Sequence, residues 1–155
     1  MKKIVIFNLL LLLTVGCSDR SDKPVTYRFE IINESGGDIK IKSYNSAFAP
    51  ILVKEIKIQD GGLYKENFLS RKSGRSYLFS DVFNADSLKI IYRDRRIASF
   101  YCYNIFSNQE EGCDEENNIL AVVEDYSSDE DVILRRYTFT TENYENAMPC
   151  DGDCE

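Results

Sequence analysis

The sequence contains no His and no Trp among its 155 residues, and only 3 Pro. Imidazole is the usual general base near neutral pH and the commonest metal ligand. Its absence excludes Ser-His-Asp and Cys-His hydrolysis and His-ligated zinc and iron centres. A phosphate-cradling glycine loop is also missing. The paired glycines Gly36-Gly37 and Gly61-Gly62 have neither the spacing nor the following Lys that such a loop needs. Hydrolysis by two carboxylates remains chemically open, but no two acids sit on rigid predicted elements facing one cleft. The chain therefore reads as non-enzymatic, with no cofactor and no metal.

What is present describes one globular domain. Hydrophobic residues make up 43%, aromatics 12% and charged residues 29%, which is too aromatic for a disordered chain and too charged for a polytopic membrane protein. The charge is 19 Lys and Arg against 26 Asp and Glu, formally -7, which disfavours nucleic acid as a partner.

The first residues differ in composition from the rest. Met1-Lys2-Lys3 is a positive start, and Ile4 to Val15 is apolar except for Asn8 and Thr14. As a helix this run would be about 18 Å long, short of the roughly 30 Å hydrocarbon core, so it reads as a signal segment and not a stable span. Leu13-Thr14-Val15-Gly16-Cys17 resembles the lipobox of bacterial lipoproteins. That resemblance implies cleavage before Cys17, acylation of Cys17, and a place in the bacterial cell envelope, anchored by lipid, at the outer membrane. More than one acyl chain is needed for stable anchoring, since each buried methylene contributes about 0.8 kcal/mol. The organisation expected is a signal peptide over 1–16, a lipidated tether over 17–25 and a single domain over 26–155.

Four cysteines remain for the domain: Cys102, Cys113, Cys150 and Cys154. In an oxidising compartment they are disulfide candidates. Three pairings are possible; local closure favours Cys102 with Cys113 and Cys150 with Cys154.

The alternation of apolar and polar residues predicts an all-β fold, a single antiparallel β-sandwich of immunoglobulin or transthyretin-like kind with a short C-terminal helix. Tyr27-Arg28-Phe29-Glu30-Ile31 and Ile39-Lys40-Ile41-Lys42 alternate on either side of turn residues 33–38 and read as an opening hairpin. Glu55-Ile56-Lys57-Ile58 precedes a turn at Asp60-Gly61-Gly62. Ser87 to Arg93 is expected to pair with Arg96 to Tyr103 across a tip near Asp94. Ile119 to Glu124 reads as a short strand and Val132 to Thr140 as the last. Thr141 can then cap a short helix whose first turn carries Glu142 and Glu145.

Asn33-Glu34-Ser35-Gly36, Asp86 to Tyr92 and Arg136 to Ala147 resemble segments of small lipobox-bearing lipoproteins of Bacteroidota. That resemblance implies a place and a fold, with no assigned activity. Asp86-Ser87-Leu88 also looks like the O-glycosylation sequon of that group, or simply like an Asp ending a turn.

Charge divides the chain. Residues 17 to 100 hold 15 basic and 11 acidic side chains, whereas residues 101 to 155 hold 2 and 15. The acidic clusters, Glu110-Glu111, Asp114-Glu115-Glu116, Glu124-Asp125, Asp129-Glu130-Asp131 and the group Asp151, Asp153 and Glu155, fall in predicted loops. They read as solvating charge, a calcium site or a patch for a cationic partner. The basic runs supply the candidate partner-binding residues Arg71, Lys72, Arg75, Tyr77, Arg93, Arg95 and Arg96, or else internal partners for the acids. Ser73-Gly74-x-x-Tyr77 resembles the inhibitory loop of bacterial lysozyme-inhibitor lipoproteins. The function expected is a non-catalytic envelope lipoprotein, held to the membrane by acyl chains on Cys17, that binds an envelope or extracellular protein or a glycan. The alternative is an inhibitor or immunity-type lipoprotein that neutralises a cationic envelope enzyme such as a lysozyme.

Overall fold

The computed structural model describes residues 24–45, 50–70, 76–102, 118–121, 126–129, 131–150, 152 and 154. Cys17, Arg71, Lys72, Arg75, Cys113 and most of the acidic clusters lie outside the described residues. Two sheets face each other. In the first, β4 (Leu63–Ser70), β1 (Val25–Glu34), β8 (Val132–Thr140) and β7 (Tyr126–Asp129) lie in that order. In the second the order is β3 (Ile51–Ile58), β2 (Ile39–Asn45), β5 (Ser87–Tyr92), β6 (Arg96–Tyr101) and β9 (Met148–Pro149). The expected β-sandwich with a short C-terminal helix is the architecture of the chain. All the pairings are antiparallel except β1 with β8, which run parallel, Thr26 opposite Val132 through Glu34 opposite Thr140.

The core follows from the period-2 pattern. Phe29 and Ile31 from β1, Ile39 and Ile41 from β2, Leu88, Ile90 and Tyr92 from β5, and Tyr137 and Phe139 from β8 are buried between the sheets. Aromatic edges meet there: Phe29 against Phe79 at 5.1 Å and Tyr137 against Phe139 at 4.9 Å, both T-shaped. Helix α1 (Phe79–Phe83) buries Phe79, Val82 and Phe83.

The opening does not form a hairpin. Strand β1 pairs with β4 and β8, while β2 pairs with β3 and β5, so residues 35–38 cross between the sheets. Asn33 makes this crossover possible. Its buried Nδ2 donates to the carbonyls of Gly37 at 2.8 Å, Ile58 at 3.0 Å and Gln59 at 3.0 Å. Its Oδ1 accepts from the Ser35 amide at 3.1 Å and the Ser35 hydroxyl at 2.7 Å. The β3–β4 connection crosses beside it, with the Gly61 amide donating to the Asn33 carbonyl at 2.8 Å and the Asn33 amide to the Gly62 carbonyl at 3.0 Å. One side chain therefore replaces the hydrogen bonds that a hairpin would have supplied to both inter-sheet turns.

Other local expectations hold or shift. Strands β5 and β6 form the expected hairpin, Ser87 opposite Tyr101 and Tyr92 opposite Arg96. Residues 119–121 are a 3₁₀ turn, not the start of a strand: Ile119 and Leu120 are consecutive and both buried, and Asn118 Oδ1 accepts from the Leu120 amide at 3.0 Å. Helix α2 (Thr141–Asn146) is capped one residue earlier than expected, by Thr140, with Glu142 as the acid of its first turn. Strand β4 was not legible, because its inward positions include Glu66, which meets Lys54 Nζ at 2.6 Å and the Tyr64 hydroxyl at 2.6 Å. Burial works against the Lys54 charge, yet Glu66 and Tyr64 hold its ammonium above the ordinary lysine value.

Candidate functional site

Strands β3, β2 and β5 each place Lys on the face turned away from the core, because Ile or Leu takes the alternate positions. Register then sets these lysines against each other. Lys40 on β2 is directly opposite Lys57 on β3, and Lys42 on β2 is directly opposite Lys89 on β5. Opposed residues on a sheet have Cβ atoms roughly 5 Å apart, where like charges repel. Glu55 relieves Lys57 at 3.3 Å, and Asp94 at the rim relieves Lys40 at 3.3 Å. Glu55 also stands directly opposite Lys42 on β2, and Lys89 stands 5.6 Å from the centre of the Tyr44 ring. The result is a cationic sheet face on a chain whose formal charge is -7.

One end of this face is concave. A cavity of about 240 Å³ is lined by Lys40, Lys57, Asp38, Asp94 and Arg93, with Ile58 and Ile91 also in its wall. Arg93 and Asp94 form the β5–β6 tip in left-handed backbone, each at φ 52°. Arg93 holds that shape through its own contacts. Its amide donates to Asp38 at 2.9 Å, its guanidinium donates to the Gly36 carbonyl, and it lies 4.7 Å from the Tyr144 ring centre. It also lies over Gly36 and Gly37, where a Cβ would collide with its side chain.

The residues singled out from sequence therefore fall in different places. Arg93 and Arg96 are engaged within the fold: Arg96 Nη1 donates to the carbonyls of Glu145 at 2.7 Å and Ala147 at 2.9 Å, steadying the end of α2. Arg95 is exposed, and its carbonyl accepts from the Cys150 amide at 3.0 Å. Tyr77 stacks on Phe68 at 5.1 Å, inward of the surface. Cys150 and Cys154 form the expected local disulfide, with Cα atoms 5.4 Å apart. Cys102 is also disulfide-bonded and is buried. Ser87 is 7% exposed and its hydroxyl donates to the Tyr44 carbonyl at 3.3 Å, so the Asp86-Ser87-Leu88 match is closed to a glycosyl donor in the folded chain. Sequence reasoning passed over Lys40, Lys42, Lys57 and Lys89. The signal was the Ile-Lys-Ile-Lys alternation, which put cations outward on neighbouring strands.

No family model, no curated protein and no solved structure matches this chain. Among the described residues, no three Cys, Asp or Glu side chains stand close enough to hold a metal ion, and no helix is long and apolar enough to cross a membrane.

The outer face of the other sheet is built differently. Glu30 on β1 lies between Lys65 on β4 and Arg136 on β8 in register. Lys65 Nζ is 3.1 Å from Glu30 Oε1, and Arg136 donates through Nε at 3.0 Å and Nη2 at 2.7 Å to Oε2. The Arg136 hydrogen bonds hold the Glu30 carboxyl below its ordinary value of 4.5; burial opposes this, and Lys65 adds to it. These charges neutralise one another and leave little for a partner.

Proposed function

We propose that the protein is a non-catalytic, lipid-anchored envelope lipoprotein whose domain captures an anionic glycan on the outer face of β3, β2 and β5. One observation carries the binding reading: two pairs of lysines stand directly opposite each other, Lys40 with Lys57 and Lys42 with Lys89. Repulsion within each pair is relieved when an anion lies over it. The face is open and its cations recur at strand spacing, which suits a polymer of regularly repeated negative charge. Tyr44 supplies an aromatic surface beside Lys89. The lipobox-like Leu13 to Cys17 supports the anchor, and the lack of His supports a role in binding over catalysis. Neutralisation of a cationic enzyme would draw on the acidic clusters, most of which lie outside the described residues.

The test is retention of the Cys17→Ala chain on immobilised dextran sulfate and alginate against neutral dextran, at rising salt. Retention on the two charged matrices alone, lost as salt rises and lost in the Lys42→Glu/Lys89→Glu variant, is the expected result. Equal behaviour on neutral dextran, or no retention, overturns the reading.

A further inference from the structure

The large apolar side chains that the fold leaves in solvent are concentrated at one end. Ile51, Leu52 and Val53 open β3 at 64%, 49% and 40% exposure, Leu69 near the end of β4 is 52% exposed, and Tyr101 at the end of β6 is 44% exposed. Register gathers them. Ile51 and Leu52 are opposite Asn45 and Tyr44; Ser87 is opposite both Tyr44 and Tyr101; Leu69 is opposite Thr26. Thr26 is the second residue of β1, so the chain enters the domain at this same end. The far end, where the Asn33 crossovers lie, exposes only Leu63 and Met148 among the large apolar residues described. Exposed apolar side chains gathered at one end of a small domain mark a contact surface.

The length of the tether says what that surface meets. Seven residues lie between Cys17 and Val25, and the eight Cα-to-Cα steps span about 28 Å at full extension. Strand β1 alone, with 10 residues, is about 33 Å long. A bilayer holding Cys17 is therefore within about 28 Å of the Ile51–Leu69 end.

We infer that this end of the sandwich is a lipid-contacting surface, seating Ile51, Leu52, Val53, Leu69 and Tyr101 in the interface of the bilayer that holds Cys17. This rests on the anchor reading given above. Apolar side chains gain by leaving water there, and the Tyr101 ring suits the headgroup level. Strand β3 is a sheet edge, and covering its first residues with lipid also shields them from a second strand. The strands then stand along the membrane normal, and the lysine face is held sideways, open to a ligand.

The chain has no Trp, so one substitution creates a single reporter. Acylated full-length Leu52→Trp, Leu69→Trp and Met148→Trp proteins are placed in phosphatidylcholine vesicles whose acyl chains carry bromine, and flotation of the wild-type chain with the vesicles is measured alongside. Bromine quenching at least about twofold stronger for Leu52→Trp and Leu69→Trp than for Met148→Trp is the expected result. Flotation with no difference between the two ends overturns the docking while leaving the anchor intact. A blue-shifted but unquenched Leu52→Trp places this end against a second copy of the chain and also overturns it. A wild-type chain that does not float removes the anchor reading and this inference with it.

Discussion

The outer faces of the two sheets hold similar residues in opposite arrangements. On the β4-β1-β8 face the cross-strand row is Lys65, Glu30, Arg136, an acid between two bases. On the β3-β2-β5 face the rows are Lys57, Lys40, Ile91 and Glu55, Lys42, Lys89, so each keeps two lysines side by side. The first row is satisfied from within; Glu30 is 6% exposed although it points away from the core, because its neighbours cover it. The second keeps its positive charge for something else. Composition alone would not separate them, since both faces alternate apolar-in and charged-out. The order of signs across strands decides which face is structure and which is a site.

The largest effect comes from removing the tie that holds both faces to one frame. Asn33→Ala leaves the carbonyls of Gly37, Ile58 and Gln59 without their donor, and chemical denaturation should show a loss of about 3 kcal/mol. Both faces should lose their properties together, and a variant of wild-type stability would contradict the role given to Asn33.

Next, Glu30→Ala turns the satisfied face into a copy of the other, leaving Lys65 and Arg136 as uncompensated neighbours. The side chains of Lys65 and Arg136 are 54% and 44% exposed, so solvent moderates the cost to about 2 kcal/mol in the same measurement. Anionic matrix retention should be unchanged or slightly raised.

Acid tests the same row without mutation. The Glu30 carboxyl titrates lower in the folded chain than its ordinary 4.5, so its contribution is fully present above that value and is lost as pH falls through the folded value. Thermal melts of wild type should weaken on acidification below about 4.5, and Glu30→Gln should flatten that part of the profile. An identical acid profile in the variant would separate Glu30 from acid stability.

Much of the fold was legible because alternation reports sidedness. Tyr27 to Ile31, Ile39 to Lys42 and Val132 to Thr140 show which side chains face inward, and the Ser87 to Tyr101 hairpin follows from a turn between two such runs. Alternation does not report partners. Residues 33–38 look the same whether they close a hairpin or cross between sheets, and only the long-range bonds from Asn33 to Ile58 and Gln59 distinguish the two. Strand β4 was hidden because Glu66 takes an inward position while Leu63 and Leu69 face solvent, the reverse of the usual pattern. The lysine face was half legible for the same reason. Each Lys was visibly outward, but opposition of like charges is a property of register, and sequence attention went to the denser basic runs at 71–77 and 93–96.

The most direct measurement is the stability and the dextran sulfate affinity of one variant, Lys89→Glu, on the same preparation. The substitution places an acid opposite Lys42, with Ser99 on its other side, so the account predicts a gain of about 0.5 kcal/mol in stability together with a loss of about tenfold in affinity. Improved folding with weakened binding would mean that the repulsion is kept for a ligand. Affinity unchanged, or stability and affinity falling together, would contradict the assignment of this face as the binding surface.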